Sequence, residues 1–386
     1  MTHSIADWLS IFFLALSLAG CCYTLAATLI VRRWRAEPLS NVVVRPPVTI
    51  LKPLHNAERG LYENAASFCD QIYFGPVQIL FGVQDESDSA IPVIERLIAE
   101  RPGMDIELVI DRRRHGANRK VSNLINLGAR SRHEILVLAD SDIRVAPNYL
   151  EMLISVLDRP GVGLVTCLYR GTPQGGVWAR LTAMAIDYQF LPSILVGLAL
   201  RLARPCFGST VALRRDTLAA IGGFDTVAND LADDYALGAA VRRAGFEVAI
   251  APQIVEHLCT NVSASQLLSH ELRWARTIRA VDRWGFAGSA VTHPLPLALI
   301  GAAFAGFGVV SLCTITAALA CRLVLKIQVD HALGTHSGRW WLAPVRDALS
   351  FLVFAVSFFI GAINWRGQRY KVRRDGTVAV LPEVQS

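Results

Sequence analysis

The stretch WLSIFFLALSLAGCCYTLAATLIV, residues 8–31, carries no charged side chain. It exceeds the roughly 20 apolar residues that cross a bilayer, so this part of the chain is committed to lipid. A cleaved leader starts with basic residues and has a shorter apolar core. Here the basic residues come afterwards, at Arg32, Arg33 and Arg35, which predicts a retained anchor with its C-terminal side in the cytoplasm. A second apolar run, Leu295 to Ala320, is closed by Arg322 and Lys326. A third, Trp341 to Ile363, holds Arg346 and Asp347 near its start and leads into the basic WRGQRYKVRR. Three crossings would leave residues 37–290 and the C-terminal tail on the cytoplasmic side. Arg346 and Asp347 are costly in lipid, so the alternative for the third run is a re-entrant or interfacial helix.

Hydrophobic residues make up 53% of the sequence, in keeping with membrane segments. The net charge of +6 suits anionic lipid or a phosphorylated substrate. Lys and Arg are dispersed or flank apolar runs, and no nucleic-acid-binding signature accompanies them, so nucleic acid is not expected as a partner. The eight cysteines form no CxxC, and Cys21-Cys22, Cys313 and Cys321 sit inside apolar runs; reduced, buried thiols are expected. The triplet Asn261-Val262-Ser263 fits a glycosylation sequon, a pattern common by chance.

Between the membrane runs the pattern changes. PVTILKP (47–53), VQILFGVQD (77–85), IELVID (106–111) and HEILVLAD (133–140) read as strands, separated by helical stretches near 58–71, 90–101 and 119–130. Near-continuous apolar strands alternating with helices argue for a parallel sheet covered on both faces, which binds ligands at its carboxyl ends. CFGSTVALRR (206–215) and FEVAIAP (246–252) read as further strands, GGFD (222–225) as a turn, and LADDYALGAAVRRAG (231–245) as a helix stopped by Gly245. SASQLLSHELRWARTIRAVDRW (263–284) and FLPSILVGLALRLARP (190–205) have the amphipathic character of helices lying in the headgroup plane, the latter too short to span.

LVLADSDIRV (136–145) ends an apolar strand on Asp140 and Asp142. Two carboxylates a few ångströms apart repel by about 1 kcal/mol even in water, so a positive partner is needed. A hard divalent cation, Mg²⁺ or Mn²⁺, holding a diphosphate is the simplest one. The bland account is one helix-capping Asp and one solvated Asp. A DxDx[TV] phosphatase loop is disfavoured by Arg144 in the fifth position. Asp85, in FGVQDESD, suits a nucleotide base or ribose, or mere solvation. Asp233 and Asp234 open a helix, where dipole capping explains one of them; an ionised carboxylate there also suits a waiting base. Lys120 and Asn123, in GANRKVSNL, suit a diphosphate or nucleotide; the bland account of the former is a surface lysine. In HELRW (270–274), Arg273 can neutralise a leaving diphosphate, and Trp274 suits either stacking or a membrane boundary.

LKPL (51–54), VQD (83–85), ADSDIRV (139–145), DDY (233–235) and RW (273–274) together resemble, in order, the pattern of ceramide glucosyltransferase-like enzymes. The likeness runs from about residue 8 to beyond 285. It implies an α/β cytoplasmic domain of the GT-A, Rossmann-like class plus transmembrane and interfacial helices, and inverting, metal-dependent sugar transfer. On that pattern Asp85, Asp140 and Asp234 are the three family aspartates, with Asp234 as base. Arg273 and Trp274 belong to the (Q/R)xxRW motif, where His270 replaces the usual Gln or Arg. Pro53, Leu54, Asp85, Lys120, Asn123 and Asp140 would seat the nucleotide; Asp140 and Asp142 would bind Mg²⁺ or Mn²⁺.

The implied domains are an anchor at 1–36, the transferase at 37–262, the RW helix at 263–290 and a membrane region at 291–386. Overall likeness is greatest to the bacterial branch that adds N-acetylglucosamine from UDP-GlcNAc to bacteriohopanetetrol, a hopanoid lipid, at the inner membrane. Transfer of glucose from UDP-Glc to ceramide is the alternative. A processive polysaccharide synthase would need more membrane helices than three, and a non-catalytic nucleotide-sugar-binding membrane protein would not need all three carboxylates.

Overall fold

The computed structural model describes residues 4–34 and 45–359, together with the backbone of Ala362–Trp365, Gln368–Val372 and Val378–Val380. The chain divides into two compact units. A helical unit takes Met1–Trp34, Gly175–Arg204 and Asn261–Arg369; a sheet unit takes Arg35–Gln174, Pro205–Thr260 and Tyr370–Ser386. Gly175–Arg204 lies within the 37–262 span yet belongs with the helices. The helical unit opens with α1 (Ile5–Arg33). Ser4 caps it reciprocally: its Oγ accepts the Asp7 N–H while an Asp7 carboxylate oxygen accepts the Ser4 N–H.

In the sheet unit, β1 (Val48–Pro53), α2 (Leu61–Cys69), β2 (Val77–Val83), α3 (Ile91–Ala99), β3 (Asp105–Ile110), α4 (Arg119–Gly128) and β4 (Ile135–Leu138) follow one another. The strands lie parallel in the order β3-β2-β1-β4. Their side chains alternate between two apolar layers. Val48, Ile50, Ile79, Phe81, Ile135 and Val137 enter one core, and Leu51, Leu80, Leu136 and Leu138 the other. That is why the strands are apolar throughout instead of alternating with polar residues.

The second half departs from the expected parallel sheet. After β5 (Ile143–Arg144), α5 (Tyr149–Leu157) and β6 (Val162–Pro173), the chain forms α6 (Val177–Ala185) and α7 (Leu191–Ala199) of the helical unit. It returns as β7 (Val211–Arg214), α8 (Arg215–Ala220), α9 (Asp233–Arg243) and β8 (Glu247–Cys259). The complete order is β3-β2-β1-β4-β7-β6-β8-β5, with β7 antiparallel to both neighbours and β5 antiparallel to β8. The sheet is mixed because β7 is reached after a long excursion and not by a simple βαβ crossover, the connection that makes neighbours parallel. Within CFGSTVALRR only Val211–Arg214 is strand; the preceding residues form a loop carrying Gly208. Gly245 ends α9 with φ +90°, a left-handed conformation suited to glycine.

The membrane count also differs. Four described helices are long and apolar enough to cross a membrane: Ile5–Arg33, Val177–Ala199, Val309–Leu333 and Trp340–Ser357. Arg283–Thr292 and Pro294–Ala305, bent by 70°, make a fifth if counted as one span. The stretch at 190–205 is thus the end of a longer helix, because a π-turn at Ile186–Phe190 joins α6 to α7. The run at 295–320 is broken between α12 (Pro294–Ala305) and α13 (Val309–Leu333), where Gly306 takes φ +73°. The inside–outside alternation built on three spans does not carry over.

Arg322 and Lys326 do not close a span but lie inside α13. Arg322 Nε bonds both carboxylate oxygens of Asp347, at 3.0 and 2.9 Å, on α14 (Ala343–Ser357). Arg346 pairs with Glu271 of α10 (Ala264–Val281), at 2.6 and 2.7 Å. Partners therefore offset the cost of the charges that argued against a third span. Of that run, 360–361 lie outside the described residues and Ala362 and Ile363 belong to a strand, Ala362–Trp365; of the basic cluster, 366–367 and 373–374 lie outside the described residues.

α1 meets α12 at small residues: Ser10 and Ser17 hydroxyls donate to the carbonyls of Gly301 and Pro294 at 3.0 and 2.8 Å. All eight cysteines are free, and Cys21, Cys69, Cys167, Cys206 and Cys259 are buried.

Candidate active site

A cleft in the sheet unit is lined by Pro53, Lys120, Asp140, Gly208, Asp233 and Asp234, with Leu124, Leu138, Val211, Phe224 and Leu237 among its apolar walls. β4 stops at Leu138 and Ala139 is still buried, so Asp140 is the first polar residue after the strand to reach the cleft. Asn118 caps α4, its Oδ1 accepting the N–H groups of Lys120 and Val121 at 3.0 and 3.2 Å. From that first turn the Lys120 ammonium reaches Asp140 Oδ1 at 2.6 Å and Asp233 Oδ2 at 3.5 Å. The start of α9 supplies Asp233 and Asp234. Asp234 Oδ2 accepts the Gly208 N–H, and its Oδ1 the Tyr235 N–H, both at 2.7 Å.

One ammonium thus faces three carboxylates. Burial disfavours a charged Lys120, but Asp140, Asp233 and Asp234 outweigh it and hold the lysine protonated above its usual range. Asp234 goes the other way. Burial, then the negative charge of Asp233, pushes its pKa up to about 6 against the opposing effects of Lys120 and the two N–H donors. A carboxylate so poised can take up a proton near neutral pH.

A second lysine lies beneath. Lys52, on β1, is fully buried; its Nζ donates to the Asp140 carbonyl at 2.8 Å and sits 3.7 Å from the centre of the Phe68 ring. Burial pushes its pKa down to about 7, with Asp142 and Asp140 partly opposing. The paired acids therefore have protein cations as neighbours. Lys52 was missed because a lysine at the end of an apolar run looks like a strand reaching solvent.

Asp142 Oδ1 is buried and makes no hydrogen bond; His257 Nδ1 lies 3.5 Å from it. The His257 ring lies 5.6 Å from that of Tyr169. Burial, then Asp234, Asp142 and Asp140, raises the Tyr169 pKa well above its ordinary value. Neither residue was singled out in the sequence. They are brought close by the parallel pairing of β6 with β8, which sets Gly171 against His257. A Cβ added to Gly208 would stand 2.8 Å from Lys120 Nζ, 3.2 Å from Asp140 Oδ2 and 3.4 Å from Asp234 Oδ2, so the absent side chain leaves the acids room. Asp142 is not among the residues that line the cleft; its buried carboxylate oxygen, without a hydrogen bond, is of the donor type that suits a hard divalent cation. Among the described residues no group of three or more His, Cys, Asp or Glu side chains is arranged to hold a metal.

Other expected site residues lie elsewhere. Asp85 is exposed, and its Oδ1 accepts the Ser87 N–H and hydroxyl at 2.9 and 2.7 Å, bonds that hold its pKa below the usual carboxylate range. Leu54 is a core residue whose N–H donates to the Gly82 carbonyl. Asn123 does not face the cleft: it is buried, and its Nδ2 donates to the same carbonyl at 2.7 Å, tying α4 to β2. That bond is a structural use of the amide. His270, Arg273 and Trp274 lie on α10 of the helical unit, with the His270 and Trp274 rings 4.5 Å apart.

The sequence model of glycosyl transferase family 21 matches residues 12–378. The chain belongs to glycosyl transferase family 21. Ceramide glucosyltransferase 1 of Caenorhabditis elegans is 22% identical over 346 residues, 86% of this chain and 73% of that protein. Ceramide glucosyltransferase 3 of the same organism is 24% identical over 232 residues, 60% and 50% of the two chains. Among solved structures, the mannosyltransferase PcManGT of Pyrobaculum calidifontis, in complex with GDP-Man and Mn²⁺, shares the fold. It has a TM-score of 0.53 and 20% identity, covering 92% of this chain and 99% of that one. This family 21 member is thus a glycosyltransferase with a GT-A fold, a mixed α/β sheet accompanied by apolar helices that could span a membrane.

Proposed function

We propose that the protein moves a sugar from a UDP-sugar to the hydroxyl of a membrane lipid, inverting the anomeric centre. The observation that carries this reading is the meeting of Asp140, Lys120 and Asp234 in one cleft. Asp140 and Asp142 would hold Mg²⁺ or Mn²⁺, with His257 at hand as a further donor; when bound, the ion neutralises the diphosphate. Lys120 binds the diphosphate from the same side. Pro53 ends β1, and Leu54 and Asp85 follow β1 and β2, where the nucleotide would sit. Asn123 holds those strands in place and does not itself touch nucleotide.

Asp234 takes the proton from the acceptor hydroxyl as that oxygen attacks the anomeric carbon from the face opposite UDP. The bond to the diphosphate breaks, UDP departs with the electron pair, and the product linkage is β. Arg273 offsets the charge on departing UDP, and Trp274 stacks beside the reacting groups. The Mn²⁺ and GDP-Man bound by PcManGT support a nucleotide-sugar donor and a divalent ion.

The finer reading is N-acetylglucosamine transfer from UDP-GlcNAc to bacteriohopanetetrol, at a bacterial inner membrane with the sheet unit in the cytoplasm. The two ceramide glucosyltransferases favour a second reading, glucose from UDP-Glc to ceramide. Membranes containing the protein are to be incubated with each labelled UDP-sugar and each lipid, with and without EDTA. A single EDTA-sensitive glycolipid supports the proposal and names both substrates. Polymer, free phosphate or no product in any combination refutes it.

A further inference from the structure

We infer that Arg346 is a positioning residue for the His270–Trp274 segment and acts through Glu271. The inference rests on the reading that Arg273 and Trp274 take part in sugar transfer. Arg346 is 1% exposed, and its Nη1 and Nη2 each donate to one oxygen of Glu271, at 2.6 and 2.7 Å. Nη1 also donates to the Leu181 carbonyl on α6 at 3.1 Å, and Nε to Ser350 Oγ on its own helix at 3.0 Å. One guanidinium therefore ties α10 to both α6 and α14.

Glu271 stands one residue after His270 and two before Arg273, itself buried. A forked pair fixes both oxygens of a carboxylate and so restricts rotation of the helix that carries it. Rotation of α10 is what sets the direction in which Arg273 and Trp274 project. The clamp is itself anchored. Asp347, the next residue of α14, binds Arg322 of α13 through both oxygens, so α14 does not yield when α10 pulls on it.

A buried ion pair rarely stabilises a protein more than a well-packed apolar pair of similar size would. Here fixing the orientation of α10 gives the pair something to do beyond stability, and a displacement of about 1 Å can cost about 10²-fold in rate.

The test uses the full-length protein in detergent and the labelled UDP-sugar that it turns over. Arg346→Met alone should lower both the thermal midpoint and kcat, because it leaves Glu271 buried and unpaired. The double variant E271L/R346M should recover the midpoint yet keep kcat about 10²-fold down, with KM for the UDP-sugar unchanged within about twofold. Arg346→Lys keeps the charge without the fork and should fold while losing kcat. Wild-type kcat in E271L/R346M overturns the inference, as does wild-type kcat in Arg346→Lys should the double variant fail to accumulate. Full turnover by Arg273→Ala and Trp274→Ala would instead remove the segment from the reaction, and that result refutes the underlying reading.

Discussion

The two units partner their buried cations differently. In the helical unit each buried arginine meets one carboxylate with matched geometry: Arg322 with Asp347, Arg346 with Glu271. In the sheet unit Lys120 is shared among Asp140, Asp233 and Asp234, Asp142 keeps an unbonded oxygen, and Asp234 holds its proton unusually tightly. Matched pairs are complete without a ligand and serve as scaffold. The mismatched cluster has surplus negative charge, which a divalent cation would neutralise.

The largest expected effect breaks the mismatched side. Asp234→Asn should lower kcat by about 10²–10⁴-fold while leaving UDP affinity, read by calorimetry, close to wild type; unchanged turnover would remove Asp234 as the base. On the matched side, Asp347→Ala leaves Arg322 buried without its carboxylate and should cost about 3–5 kcal/mol in thermal or denaturant unfolding, whereas the apolar pair R322M/D347L should return most of it. If the single variant proves neutral, the pairs are not scaffold and the contrast between the units fails.

Gly208→Ala sharpens the comparison by crowding the acids without changing charge. Its methyl group would press on Lys120, Asp140 and Asp234, for an overpacking cost of about 1–3 kcal/mol. Titration of Mn²⁺ into the variant should show weaker binding than in wild type.

The smallest effect concerns pH. Asp234 must be ionised to act as base, so with its pKa near 6, kcat/KM should be half-maximal at about pH 6 and fall about tenfold per unit below it. Stability moves the opposite way. The folded state holds that proton more tightly than the unfolded chain does. The group's contribution is therefore fully present below the ordinary carboxylate range and is lost as pH rises through about 6. A flat kcat/KM profile between pH 5 and 8 would count against this assignment.

The sheet unit was partly legible because local patterns carry it. β1 to β4 are apolar on both faces, and Asp140 follows directly where β4 stops. The Asn118 cap explains why Lys120 could be picked out from GANRKVSNL. β6 was missed, and Tyr169 and His257 with it, because their nearness arises from pairing between distant segments that leaves no local spacing to read. Asn123 looked like a polar ligand group because nothing in its neighbours announces the Gly82 carbonyl that it binds. The helical unit was less legible for a related reason. Arg180, Asp187, Arg322 and Arg346 interrupt apolar runs, and sequence alone does not show that Arg180 reaches the Ser337 carbonyl or that Arg346 reaches Glu271.

The adjacency of Arg346 and Asp347 has a consequence for how the chain is made. Glu271 and Arg322 precede α14 in the chain, and each is destined for an apolar interior whose counter-ion comes later in synthesis. The bundle therefore cannot reach electrical balance until its last described helix arrives and delivers both missing partners in consecutive residues. A nascent chain halted before residue 343 would carry two orphaned ions, a natural mark for membrane quality control.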